Sequence, residues 1–239
     1  GDSEQKMLDF LAKAKSELEN IVCSDKRIEE LGAELDASTE RLVLLGKKLT
    51  DSRVGAAEKF SKQVSDVLCG LDMPNVHFVV NVNQDRYTRH GCDAVEFLIS
   101  ANAGESVKPL HKIASGGELS RTMLAIKSVL ADKDDVDTLI FDEIDTGISG
   151  RAADKVGLQL QNVANSRQVI CVTHLAQIAA YAQNHLLIEK SVSNERTYTN
   201  VISLDYESQI REIARIMSGS DLTQNLYNSA KELLDRSKK

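Results

Sequence analysis

Three short stretches of this chain carry residues able to do chemistry on a phosphate. Ser115-Gly116-Gly117-Glu118 opens what reads as a helix. Its two glycines let backbone N–H groups approach an oxyanion with no Cβ in the way. Ser115 can cap the helix, and the helix start adds positive potential. An ordinary helix cap would look the same, and Glu118 sits oddly at a site for anions alone. Arg121, one turn on, could pair with Glu118 or face the phosphate. The second stretch is Asp142-Glu143, closing the apolar run Thr138-Leu139-Ile140-Phe141, with Asp145 as a third carboxylate. An aspartate there suits a magnesium ion held through water. The neighbouring glutamate can polarise an attacking water. A solvated acidic turn is the plain alternative. The third is His174, two residues beyond the apolar stretch Gln168–Val172, where a histidine can contact a terminal phosphate or be merely a turn residue.

The elements that must position these groups follow from the pattern of apolar residues. Helix Glu118–Ala131, strand Thr138–Phe141, helix Gly150–Ala164, strand Gln168–Val172, helix Leu175–Ala182 and strand His185–Ile188 alternate. Such alternation predicts a parallel sheet in an α/β domain. The runs Thr138–Phe141 and Val169–Val172 are apolar throughout, as in strands covered on both faces. A strand over 197–204 and two helices, Glu207–Met217 and Leu222–Asp235, follow.

Upstream lies a different texture. Residues 4 to about 72 hold no proline, and Ala14, Ile21, Ile28, Leu35, Leu42 and Leu49 form an unbroken seven-residue row. The partner row is Leu11 and Leu18 at first, then Leu31 and Leu45, so the register slips near residues 22–28. The pattern predicts one strand of a coiled-coil arm, roughly 70 Å long from Glu4 to Thr50 at 1.5 Å per residue. The alternative is a helix packed on its own domain. Pro74 stops the helix. Val76, Phe78, Val80 and Val82, then Val95, Phe97 and Ile99, alternate with polar residues, predicting a β-hairpin with a long loop over Gln84–Gly91. Arg86, Arg89 and His90 in that loop suit a phosphate contact or a solvated tip.

Composition bounds the function. The 239 residues are 42% apolar and 27% charged, with a net charge of -7, which argues against a uniformly basic nucleic-acid wrapper. No apolar run approaches the ~18 residues of a membrane span. Cys23, Cys69, Cys92 and Cys171 show no CxxC spacing, as expected of reduced thiols in a cytoplasmic protein. Gly1 reads as a processing scar or the edge of a fragment. Lys238 and Lys239 read as a charged tail.

Taken in order, the segments resemble the ATP-binding-cassette superfamily, in its chromosome-maintenance, SMC-like branch. Lys112-Ile113-Ala114-Ser115-Gly116-Gly117-Glu118-Leu119-Ser120-Arg121 is similar to the signature motif of a bacterial DNA-repair member. Residues 138–150 are similar to its Walker B segment and D-loop, and residues 168–178 to its switch-histidine segment. Three linked motifs in order are specific, and the resemblance covers nearly the whole chain. It implies an α/β fold, the C-terminal lobe of an ABC-type ATPase head, with a mostly parallel sheet flanked by helices. A long N-terminal helix or coiled-coil segment and a β-hairpin would precede it. Residues 1–72 would be the returning arm and 73–239 the C-terminal half of the head.

The resemblance also implies roles. Asp142 would help to hold magnesium through water, Glu143 would be the general base, and His174 would sense the γ-phosphate. Ser115, Gly116, Gly117 and Glu118 would grip ATP bound on an opposite head. The implied partners are a second head in a homodimer, an N-terminal lobe, and DNA during double-strand-break repair and recombination at the bacterial nucleoid. The chain has no GxxxxGK[ST] loop, so alone it would be inactive. Ser149 stands where many relatives carry the D-loop aspartate. Two other readings are a non-catalytic coiled-coil assembly module and another ABC-type ATPase subunit.

Overall fold

The computed structural model describes residues 3–100, 104–113, 115–131, 133, 135–193, 196–219 and 223–237. Gly1, Ala114, Leu222, Lys238 and Lys239, named above, lie outside them. The elements run in the order α1 (Glu4–Gly70), β1 (His77–Thr88), β2 (Gly91–Ser100), β3 (Lys108–Pro109), α2 (Gly116–Val129), β4 (Thr138–Phe141) and α3 (Arg151–Ala164). They continue with β5 (Gln168–Cys171), α4 (Ala176–Ala179), β6 (His185–Ser193), β7 (Arg196–Leu204), α5 (Tyr206–Ser218) and α6 (Gln224–Ser237). No helix among the described residues is long and apolar enough to cross a membrane. By contacts the chain divides into two compact units, Gly1–Gly55 with Val82–Ala94, and Ala56–Asn81 with Val95–Lys239.

In the first unit the hairpin end packs on helix α1. Thr50 Oγ1 donates to Asp93 Oδ1 at 2.5 Å, and Arg53 Nη1 donates to Asp93 Oδ2 at 2.7 Å. Arg53 Nη2 also donates to the His90 carbonyl at 2.6 Å. Gly46 admits the Tyr87 ring, which would stand 2.9 Å from a Cβ there. The expected long loop is a turn of two residues, Arg89 and His90, because β1 continues to Thr88 and β2 starts at Gly91. The remainder of the arm is bare. Ile21, Ile28, Leu35 and Leu42 of the seven-residue row are exposed, as are Leu18 and Leu45 of its partner row, so the chain itself does not cover this stripe.

The second unit has its core around Val64, Leu68, Leu124, Phe141, Ile144 and Val156. Phe60, Phe78 and Phe97 make a ring cluster with centroids 5.7–6.1 Å apart. Strands β4 and β5 pair in parallel, with Leu139 opposite Val169 and Phe141 opposite Cys171. Strands β1, β2 and β3 form a three-stranded sheet in that order, β2 pairing with β3 antiparallel, and β6 pairs with β7 antiparallel. A second cluster joins α4, α5 and α6 through Ala180, Ile210, Ile213 and Leu234. One expectation is corrected. Leu139 and Phe141 face the core, but Ile140 is 70% exposed, as are Ile170 and Val172 in large part. The β4–β5 pair is covered on one face only.

The Asp93 carboxyl is held below the ordinary aspartate range by its Thr50 and Arg53 hydrogen bonds and by the Arg53 charge, against the opposing effect of burial. Its contribution to holding the hairpin is therefore present above the unfolded value, near 3.9, and is lost as pH falls through the lower folded value. A carboxyl-carbon NMR titration should give Asp93 a midpoint below about 3.9, and Arg53→Gln should raise it. A midpoint at or above the ordinary value would contradict this account.

Candidate phosphate-handling site

The site is assembled where the first turn of α2 meets the loop following β4. Ser115 is the N-cap of α2, and its side chain accepts from Glu118 N–H at 3.4 Å. The loop after β4 is pinned to this helix at two points. Ser120 Oγ donates to the Asp142 carbonyl at 2.8 Å, and Arg121 Nη1 donates to the Thr146 carbonyl at 2.9 Å. Both glycines matter for close approach. A Cβ on Gly117 would stand 2.7 Å from the Thr146 carbonyl oxygen, and one on Gly116 would collide with Glu143 Oε2. The Ser115–Glu118 turn and the strand-end carboxylates thus lie side by side in the second unit.

Asp142 and Glu143 are both exposed at the carboxyl end of β4. Asp142 Oδ1 accepts from Glu143 N–H at 2.9 Å. Glu143 takes a left-handed backbone, φ 56°, which a non-glycine residue adopts at a cost of about 1–3 kcal/mol. Among the described residues no group of three or more His, Cys, Asp or Glu side chains could hold a metal ion. A single exposed carboxylate still fits magnesium, which keeps several waters and takes its other ligands from substrate phosphates.

Two readings of the sequence change. Asp145 is not an open third carboxylate. It is 4% exposed, and its Oδ2 accepts from Thr173 Oγ1 at 2.6 Å and from His174 N–H at 2.8 Å. His174 Nδ1 lies 3.0 Å from the same oxygen. Arg121 turns inward rather than to a phosphate. It is 7% exposed, its Nε has no hydrogen-bond partner, and burial lowers its pKa against the raising influence of Glu118 and Asp72. The Cys171 thiol is pushed up to about 12 by burial, then by Asp145 and Asp142, and stays protonated. Sequence reasoning missed Ser120 and the inward Arg121. Their only signal was a position on the same helical turn as the glycines.

This architecture has known counterparts. No family model matches the chain. The crystal structure of the Smc head domain with a coiled coil and joint from Pyrococcus yayanosii superposes over 99% of this chain and 39% of that one. Its TM-score is 0.56, with 21% identical residues. The Smc head domain with an extended coiled coil from Pyrococcus furiosus, bound to the C-terminal domain of ScpA, covers 89% of this chain and 52% of that one. Its TM-score is 0.52, again with 21% identity. These likenesses define the fold as that of an Smc-type head. Sequence narrows it further. DNA repair protein RecN of Vibrio cholerae is 40% identical over 220 residues, 91% of this chain and 40% of its own length. RecN of Treponema pallidum is 39% identical over 241 residues, 98% of this chain and 42% of its own. RecN of Bacillus subtilis is 36% identical over 250 residues, 98% and 43%. Over nearly its whole length the chain is similar to these RecN proteins, and it spans about two fifths of their own length.

The two glycines should respond differently to an added methyl. Gly116→Ala meets the mobile end of Glu143, whereas Gly117→Ala meets backbone. We expect Gly117→Ala to cost about 1–3 kcal/mol of stability by overpacking and Gly116→Ala less, as read by urea unfolding. Equal losses would mean that the Thr146 loop yields freely.

Proposed function

We propose that this chain is the C-terminal lobe and returning arm of an ATPase acting in bacterial DNA repair, and that it supplies one side of a catalytic pocket shared by two heads. The observation that carries this reading is the apposition of Gly116 and Glu143 in one unit. A phosphate cradle and a general base are there held by a common set of hydrogen bonds. The RecN names of the relatives supply the DNA-repair context.

In this reading Ser115, Gly116, Gly117 and Glu118 present the start of α2 to the terminal phosphate of ATP bound on the opposite head. Glu143 takes a proton from the attacking water. His174 contacts the γ-phosphate. Asp142 would hold magnesium through water, and that ion, when bound, neutralises charge on the phosphates. Glu143 is exposed, so its carboxylate can leave Gly116 when a nucleotide enters.

The chain's uncovered surfaces support the partners. The exposed face of β4–β5, with Ile140, Ile170 and Val172, would be covered by an N-terminal lobe carrying a Walker A loop. The bare row on α1 would be covered by the outgoing helix of a coiled coil. That same bare row also favours the second reading, in which the arm assembles with a partner and the carboxylates are not used. A cytoplasmic place at the nucleoid follows from the proposed role.

In the complete protein, Glu143→Gln should lower ATP turnover by a factor of about 10² or more, within the usual range for a lost general base, while ATP binding persists. Unchanged turnover would remove Glu143 from this role. The 239-residue chain alone should show no micromolar, magnesium-dependent ATP binding by calorimetry, since it lacks the phosphate loop. Micromolar binding would overturn the shared-pocket reading.

A further inference from the structure

The buried carboxylate of Asp145 is not used by the chemistry outlined above, yet it joins two of its segments. It lies in the loop following β4, two residues beyond Glu143, and reaches the residues that follow β5. Two hydrogen bonds converge on its Oδ2, from Thr173 Oγ1 at 2.6 Å and from His174 N–H at 2.8 Å, and His174 Nδ1 stands 3.0 Å from the same oxygen as a close charge contact. Thr173 Oγ1 in turn accepts from Leu175 N–H at 3.1 Å, so the backbone on either side of His174 is fixed. The contrast in exposure is sharp. The Asp145 side chain is 3% exposed and the His174 side chain 75%.

A carboxylate can only accept, so a neutral imidazole facing it at Nδ1 must carry its proton there. That is the less favoured tautomer of a free imidazole, which prefers Nε2–H. We infer that Asp145 is a positioning residue that favours the Nδ1–H tautomer of His174, leaving Nε2 as the group that meets the phosphate or its attacking water. The logic is that of any carboxylate–histidine pair in which the acid sets the tautomer and the far nitrogen does the work. Asp145 itself touches no reacting atom. Because it shares a loop with Glu143, the same short segment aims both the base and, through His174, the second polar group.

This inference deepens the reading of His174 and rests on it only for the purpose of the tautomer, not for its existence. The tautomer can be read in the 239-residue chain without nucleotide. Long-range proton–nitrogen NMR correlations on the nitrogen-15-labelled chain, at a pH above the ordinary histidine value of about 6.5, report which ring nitrogen is protonated. His174→Gln identifies the signals. We expect Nδ1–H to dominate for His174. In Asp145→Ala the ratio should swing toward Nε2–H by about tenfold or more, the scale of a hydrogen bond to a charged group. A wild-type His174 in the Nε2–H form would overturn the inference, as would an Asp145→Ala chain that folds and keeps the wild-type ratio. Should Asp145→Ala not fold, the wild-type spectrum alone decides. Neither result depends on turnover, so a failure of the Glu143 experiment and a failure here are separable.

Discussion

The site depends on one close approach, that of the first turn of α2 to the loop following β4. The Thr146 carbonyl stands where a side chain on Gly117 would be. Arg121 donates to that carbonyl from within the core, and Ser120 grips the Asp142 carbonyl nearby. Backbone carbonyls are poor anchors when solvated but firm ones when a buried guanidinium is their partner. The first turn of α2 and the loop carrying Glu143 and Asp145 are therefore tied together by a common set of hydrogen bonds. Removing the glycine, the serine or the arginine would loosen different edges of the same joint.

A second constraint is what the chain leaves uncovered. Apolar residues on a monomer surface need no explanation singly, but contiguous ones mark contact surfaces. Here the open face of β4–β5 and the heptad row of α1 are both of that kind. The chain matches about two fifths of its relatives' length. The proposed lobe and outgoing helix would account for the exposed apolar surface on both elements.

Much of this was legible in the sequence. Strand β4 spans Thr138–Phe141 as its apolar run predicts, and α3 ends at Ala164 as expected. The long helix ends at Gly70, four residues before Pro74. The hairpin was read short because residues 84–88 are polar apart from Tyr87, so the alternation that marks a strand is not sustained there. Strand β6 also runs past Ile188, to Ser193. The expectation of a strand buried on both faces erred because apolar residue types alone do not say which faces the chain itself covers. In the site, residue types were readable and directions were not. Nothing in the spacing says that Asp145 turns inward while Asp142 stays exposed, since that is decided by donors brought from β5, some thirty residues on in the chain.

Glu143 carries one further consequence. Its φ of 56° places an L-residue where glycine would sit at ease. A glycine there would relax the turn but would have no carboxylate to aim. The turn is thus a loaded spring of small size, whose tension is tolerated because the surrounding bonds to α2 leave the chain no easier path. Drift at this position toward an easier conformer is opposed by its neighbours rather than by its own preference, and the direction of one acidic group is maintained at the expense of local ease.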